Sequence, residues 1–495
     1  MTRAFLAYLP LAILFTWPAA VAGDLPGLHA DTYVGAWALS AAPRILAGLG
    51  HDALTAFPAG ADYLRFDTWV LAVVATAFQW LPVARLHALL AVLGLALSAT
   101  AAEALARAAG ARSPWSLLAG LAYAFSGIAA TAYLGGTAYF LLDPWLPLCA
   151  LGLLSRRDPL AVVGFAGALY TSAYTGLCAG LVFLVLARRP GPWLGAALAS
   201  VPWAVAYALG ARGQDAAGAL AQASANVLSW GWPSPMVDVD RNSFTVSLPA
   251  TALALAVVAP VVLRRSAAWK PFALLAALGS VLALGPRLAL GPDGGGVPMP
   301  FALLDLLGLG AAIRFPARFL WCTGLGLGVV AALVCTRLAE GRPRATLVLL
   351  ACALVDALVG TGLPGRAGTR LAAVPSAYAG AGGPVLDLFP EPLDRTGTDH
   401  RFRALACYYQ SGHGWPIAED CVATNPALNP RAELAREVLA SGWVPEGFSA
   451  VALHADLFHP ADRARAGARL SPLDPDPVVS TDGGERIQLY RLRDR

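Results

Sequence analysis

The chain has 495 residues, of which 57% are hydrophobic and only 13% charged. Soluble domains carry about 25% charged residues, so this composition, with its positive mean hydropathy, excludes an ordinary soluble enzyme and points to a membrane protein. A formal charge of +4 is too small for the concentrated positive field that nucleic acid binding needs.

Crossing a hydrocarbon core takes about 20 residues of helix, and without water the backbone must satisfy itself within each segment. Apolar segments are read at 4–22, 84–108, 115–134, 138–155, 159–173, 174–188, 192–211, 246–264, 270–286, 316–337 and 344–362. Arg3 precedes the first. Alternate short connections carry Arg107 and Arg112, Arg156 and Arg157, Arg188 and Arg189, then Arg264, Arg265 and Lys270, and finally Arg337, Arg342 and Arg344. Basic residues in short loops mark the cytoplasmic side. Eleven spans gather all these clusters on that side, with the amino terminus inside and the carboxyl terminus outside. Arg44, Arg65 and Arg287 fall outside against the trend.

Asp67–Leu81 is apolar but ends at Gln79, Trp80 and Pro82. Counting it as a span would put every arginine cluster outside, so it reads as a partial insertion from the external face. The first segment has the basic start and the small residues Ala20, Val21 and Ala22 of a cleavable signal. Trp17 and Pro18 interrupt its apolar core, which favours retention as a span.

The connections on the other side are longer. Gly23–Phe66 holds Asp24, His29, Asp31, His51, Asp52 and Asp62, and its stretch Tyr33–Ala42 suits a helix lying on the membrane surface. Arg212–Ser247 carries Trp230 and Trp232, as interfacial anchors do; Arg287–Phe315 is rich in Gly and Pro before Arg314. From Leu363 charge and turn formers rise. Val385–Phe389, Ala450–His454 and Arg486–Leu492 read as strands, and Pro430–Ala440 and Asp462–Leu470 as helices. The expected fold is thus mainly α. A polytopic bundle of about 11 spans occupies residues 1–362, and an extracytoplasmic α/β or α+β domain occupies 363–495.

Of seven cysteines, Cys149, Cys178, Cys322, Cys335 and Cys352 lie in spans, where a thiol acts as a small apolar group. Cys407 and Cys421 both lie in the external tail, where an oxidising compartment permits a disulfide. No Cys-x-x-Cys or matching histidine spacing accompanies them.

No P-loop, dinucleotide fingerprint, His-Glu-x-x-His or Gly-x-Ser-x-Gly occurs. The candidate chemistry lies in the first external loop, where Asp24 and Asp31 flank Leu-Pro-Gly-Leu-His-Ala. A carboxylate beside apolar walls has a raised pKa, which suits a general base near neutral pH. Two carboxylates with His29 are also a set that can hold a divalent cation. The bland alternative is a pair of loop acids with no chemistry. Arg314 and Arg318 bracket Pro316 at the outer end of a span, four residues apart. Arginine forks recognise phosphate; the competing readings are a snorkelling pair or pairing with Asp305. Asp143, near the external end of its segment, can face the same cavity as Asp31. Glu103 and Asp356 read as structural, as do Tyr409 and His413 in the tail.

The order of features resembles the GT-C superfamily of integral membrane glycosyltransferases, which use polyprenyl-phosphate-linked sugars. The candidate acidic motif is Gly23-Asp24 followed by Ala30-Asp31-Thr32-Tyr33. A closer resemblance, to a group of bacterial GT-C-like proteins, rests on Phe57-Pro58-Ala59-Gly60, Leu121–Ser126, Leu284-Gly285-Pro286, Ile313–Phe319, Tyr409–Gly414 and the strand into His454. The chain departs from the superfamily in lacking a close Asp-Glu or Asp-x-Asp pair in the first loop, which weakens metal binding more than base catalysis. The resemblance implies transfer of a sugar from a polyprenyl-phosphate donor to a lipid, glycan or protein acceptor, outside a bacterial inner membrane. Asp31 and Asp24 would be catalytic, and Arg314 and Arg318 would hold the donor phosphate. The alternatives are a transporter or flippase of a lipid-linked glycan, or a non-catalytic scaffold.

Overall fold

A computed structural model of the chain describes residues 2–26, 31–48, 51–62, 69–134, 141–209, 225, 234–235, 245–289, 296–303, 315–360, 369–370, 373–390, 398–418, 421, 430–482 and 485–492. Long runs of Ala and Leu, both strong helix formers, make the described residues of the first two thirds mostly helical. In chain order these are α1 (Thr2–Phe15), α2 (Asp31–Ala47), α3 (Trp69–Ala77), α4 (Val83–Ala108), α5 (Leu117–Ala124), α6 (Gly127–Leu134), α7 (Trp145–Leu154), α8 (Asp158–Thr171) and α9 (Ala173–Leu186). After them come α10 (Pro190–Leu209), α11 (Ala250–Val262), α12 (Lys270–Ala283), α13 (Leu320–Ala339) and α14 (Pro343–Val355).

The central helices are α4 and α13. With the turn Pro316–Phe319 ahead of it, α13 is an apolar helix from Pro316 to Ala339, and α4 has 26 residues. At 1.5 Å per residue α4 is about 39 Å long, enough to cross a bilayer. Among the described residues these two alone are long and apolar enough by themselves; α5 and α6, bent by 42° at their junction, make a third crossing if taken together. The other expected spans coincide with helices, but several are only 10–17 residues long, so helix length does not carry the count of eleven. α3 has nine residues, about 14 Å of rise, far short of the hydrocarbon thickness. Val257 and Val261 on the outward face of α11 are 71% and 77% exposed. An uncovered apolar face of this kind fits lipid better than water.

Two of the arginine-bearing connections meet at one end of this bundle. Arg112 donates its backbone N–H to Thr336 Oγ1 at 3.0 Å, and its guanidinium lies 3.7 Å from Glu340, which also pairs with Arg337. Arg189 likewise pairs with Asp158, joining two further connections. Within the helices, Glu103 pairs with Arg107 one turn on and accepts from Ser116 Oγ at 3.2 Å. Asp356 accepts from the Thr251 N–H at 3.0 Å and so caps the first turn of α11. Both acids are structural partners, as the sequence suggests.

The tail contributes β3 (Val385–Leu388), α15 (Thr398–His413), α16 (Pro430–Ser441), β4 (Ala450–His454), α17 (Pro460–Leu470), β5 (Val478–Ser480) and β6 (Ile487–Arg491). A two-residue strand pair, β1 (Leu25–Pro26) with β2 (Thr369–Arg370), precedes them. The four-stranded sheet runs β5-β6-β4-β3, parallel between β3 and β4 and antiparallel elsewhere. Side chains alternate across a strand. Ala450 and Ala452 therefore join a core with α15, while Val451 and Leu453 join another with α16 and α17. The disulfide Cys407–Cys421 bonds α15 to the segment beyond it, with the Cα atoms 5.8 Å apart.

The loop after α1 is not separate from this tail. Leu25, Tyr33, Ala36, Trp37, Ala41 and Ile45 are buried in the same core as Cys407, Tyr408 and the sheet. The expected boundary at 362/363 lies outside the described residues. The mixed strands and helices of the tail pack on α2 as their own layer.

Candidate functional site

The short helical turn Ala19–Ala22 ends at Gly23, which adopts φ +76°, a conformation that suits glycine. The chain turns there from the bundle into the first loop, and Asp24 follows. α2 opens on Asp31 and crosses beneath α15. Arg44, one turn before its end, holds Asp52 with two hydrogen bonds of 3.0 and 3.1 Å and donates to Gln410 Oε1 at 2.9 Å. Asp52 is buried and also accepts from the Leu54 N–H at 3.1 Å. Leu54 and Phe57 then exchange backbone hydrogen bonds with Ile417, both 2.9 Å. The loop is therefore joined to the tail by backbone and side chain together.

Between α2, α3, the first turn of α4 and α15 lies a cavity of about 670 Å³, in the range of small-molecule sites. Its polar lining includes Ser40, Arg44, Gln79, Arg85 and Ser411, set among Leu39, Leu81 and Val374. Gly23 and Tyr408 also line it. Burial, then the neighbouring Tyr33, then the charge of Asp24 push the Tyr408 hydroxyl well above the usual tyrosine range. Asp24 is thus close enough to act on a cavity residue. Arg85 is exposed and has no ion-pair partner among the described residues. It sits in the first turn of α4, where free backbone N–H groups add positive potential.

The other residues singled out by sequence fall elsewhere. His29 and Arg314 lie outside the described residues, and of Asp31 only its place at the start of α2 is described. Arg318 sits in the turn before α13, 4.2 Å from the ring centre of Tyr174 and 4.5 Å from that of Phe315. Asp143 is buried, accepting from Tyr123 Oη at 3.0 Å and from the Leu146 N–H at 3.3 Å, at the start of α7. Gly94 lets this segment approach α4: a Cβ there would lie 2.7 Å from the Leu141 carbonyl oxygen. Neither Arg318 nor Asp143 lines the cavity. They belong to a second neighbourhood, around Cys178, whose thiol donates to the Arg318 carbonyl at 3.8 Å.

A buried polar cluster backs the site on the tail side. His454 is fully buried, with Nε2 3.0 Å from Asp387 and Nδ1 3.0 Å from Glu485. Tyr378 donates to Asp387, and Tyr409 donates to Glu485 at 2.7 Å. Burial alone would lower the His454 pKa, but hydrogen bonds to the two carboxylates and their charges outweigh it and raise it to about 9. His413 stacks on Tyr378 with centroids 4.6 Å apart, and burial lowers its pKa to about 4. Among the described residues no group of three or more His, Cys, Asp or Glu is placed to hold a metal ion.

No family model matches the chain, and no curated protein matches it. Among solved structures, the arabinofuranosyltransferase AftD from mycobacteria matches over all of this chain with a TM-score of 0.58 and 15% identity. The fold is GT-C-like. This chain spans 40% of the length of that mycobacterial protein. The oligosaccharyltransferase AglB from Archaeoglobus fulgidus, in complex with an inhibitory peptide and a dolichol-phosphate, matches at a TM-score of 0.46 and 12% identity over 94% of this chain and 71% of its own. That second likeness is too low to argue from.

Sequence reasoning missed Arg44 as a joint and Arg85 as a wall residue. The available signal was that both are arginines in or beside connections that the arginine pattern reads as external.

Proposed function

We propose that the chain is a membrane glycosyltransferase that moves a sugar from a polyprenyl-phosphate donor to a lipid, glycan or protein acceptor on the external face of a bacterial inner membrane. The observation that supports this most is the cavity of about 670 Å³ enclosed by the first acidic loop, the outer end of α4 and the tail. It combines apolar walls, two arginines and an adjacent carboxylate, Asp24, at the end of the bundle where a lipid-linked donor presents its phosphate.

In this reading Asp31 takes the proton of the acceptor hydroxyl as that oxygen attacks the sugar's anomeric carbon. The bond from that carbon to the donor phosphate oxygen breaks, and the polyprenyl phosphate leaves with the bonding pair. Asp24 orients the acceptor or helps hold a divalent cation. Arg85 stabilises the charge gathering on the departing phosphate inside the cavity; Arg318, which does not line that cavity, takes no part in this step.

The test is transfer of a labelled sugar from a polyprenyl-phosphate donor by the purified chain in lipid. Asp31→Asn should cost about 100-fold or more, the lower end of the range for a positioned base, while inserting normally. Full retained activity with normal insertion would remove Asp31 from the mechanism. Donor translocation without bond transfer would replace the reading with a flippase.

A further inference from the structure

The face of the tail sheet opposite α2 and α15 carries a second recess. Ala466 and Leu470 of α17 are buried against the sheet. The adjoining face of the same helix, Pro460, Arg463, Ala464, Gly467 and onward to Ser471, turns instead toward Gln488 and Tyr490 of β6. These positions recur at helical spacing, so they form one stripe. The groove between stripe and strand measures about 400 Å³. It runs for eleven residues of helical rise, about 17 Å.

Gly467 keeps it open. A Cβ at that position would meet only the Tyr490 hydroxyl, at 3.7 Å, so a longer side chain would project into the groove rather than into the core. Arg486 stands at one side with its backbone fixed, its N–H donating to Asp456 Oδ2 at 2.8 Å. Its exposed guanidinium has no acidic partner among the described residues. Arg463 is only loosely held, 3.8 Å from the other oxygen of Asp456. Ser471, Gln488 and Tyr490 add neutral hydrogen-bonding groups, and the rings of Pro475 and Pro477 form an apolar wall.

We propose that this groove binds an acidic saccharide. The two guanidinium groups call for carboxylate or another anionic substituent. The hydroxyl and amide groups suit sugar hydroxyls, and the proline rings suit the C–H faces of a sugar ring. A lone inorganic anion would satisfy one arginine and leave most of the groove's length uncovered. The site lies across the sheet from the first-loop cavity, so it acts as a separate glycan-holding surface and does not rest on the transfer chemistry.

The experiment is calorimetric titration of the full chain in lipid nanodiscs with trigalacturonate, with maltotriose and inorganic phosphate as parallel probes. The expected result is measurable trigalacturonate binding, at least tenfold weaker maltotriose binding, and no displacement by equimolar phosphate. Arg486→Gln and Gly467→Met should each weaken the acidic probe about tenfold or more, a single charge-assisted contact being worth about that factor. Gly467→Met should keep the unaltered melting temperature or exceed it, since methionine is the better helix former. Absence of trigalacturonate binding overturns the proposal, as does undiminished binding in either variant. Equal affinity for maltotriose, or full displacement by phosphate, overturns it too.

Discussion

The Arg44 guanidinium donates a 2.9 Å hydrogen bond to Gln410 Oε1, joining residues 366 positions apart in sequence. The same guanidinium grips buried Asp52 in a two-point ion pair. One side chain therefore fixes the end of α2, the turn that follows it and the last turn of α15. The cavity wall formed by Ser40, Pro43 and Ser411 has its shape only while these three segments stay together.

Arg44→Ala should accordingly be more damaging than a surface substitution. It leaves Asp52 buried without its cation, a loss on the order of 3 kcal/mol. Arg44→Lys should recover only part of that, since an ammonium cannot reproduce the planar two-point contact. Hydrogen exchange is the measurement. Faster exchange in residues 51–57 and 404–417 of the alanine variant, with the end of α4 near Arg107 unchanged, is expected. Unchanged exchange in both segments would mean the joint is carried by the backbone bonds to Ile417 alone.

The His454 cluster predicts an alkaline limit. The folded pKa of His454, about 9, lies above its ordinary value of 6.5. A raised histidine pKa gives stability that is complete below the unfolded value and is lost as pH rises through the folded one. The window is therefore pH 6.5 to about 9, and the amount is on the order of 3 kcal/mol. Glu485 moves the opposite way: burial would raise it, but the hydrogen bond and charge of His454 hold it below the usual range. Its contribution is lost as pH falls through that lowered value. Melting curves of the full chain from pH 6 to 10 should fall across the alkaline window, and His454→Gln should flatten the fall while lowering the plateau.

This cluster also marks the limit of what could be read from sequence. Hydrophobic length and arginine placement are additive along the chain, so the helical class and the positions of the main helices were legible. So were the strands at Val385–Leu388, Ala450–His454 and Ile487–Arg491, whose apolar runs are bounded by turn formers. The helix Thr398–His413 was not read as one, because its apolar face is filled by tyrosines, a cysteine and a glutamine that pack only once α2 lies across it. Asp387 and Glu485 gave no signal because their partner His454 is distant in sequence. The union of the first loop with the tail was likewise invisible, since neither segment alone shows which surface it needs. Asp143 was read as a cavity candidate from its depth; the structure gives it Tyr123 and the α7 backbone instead.

Breaking the Cys407–Cys421 disulfide should loosen the same layer. The bond closes a separation of 14 residues, and loops of that size are worth about 3 kcal/mol when cross-linked. The double Cys→Ser variant should melt earlier and be cleaved faster by protease between residues 407 and 421. Reductant should lower the melting point of the unaltered chain and leave the variant where it is. Equal melting of variant and unaltered chain without reductant would show that the packing of Tyr408 and Tyr409 suffices.

Arg85 and Asp143 separate a substrate contact from a structural one. Arg85 is exposed on the cavity wall and packs little, so Arg85→Gln should leave folding and yield within ordinary surface variation. If it holds the donor phosphate, it should raise the donor KM or lower kcat/KM by about tenfold or more, the usual scale for one charge-assisted contact. Asp143 is buried with both its contacts inside the bundle. Asp143→Asn should therefore reduce the amount of inserted protein while leaving turnover per inserted molecule near the unaltered value. Measuring transfer against the quantity of folded chain distinguishes the two effects. The reverse result, with Asp143→Asn inactive but well inserted and Arg85→Gln unimpaired, would move the reacting centre from the first-loop cavity to the neighbourhood of Tyr123, Cys178 and Arg318.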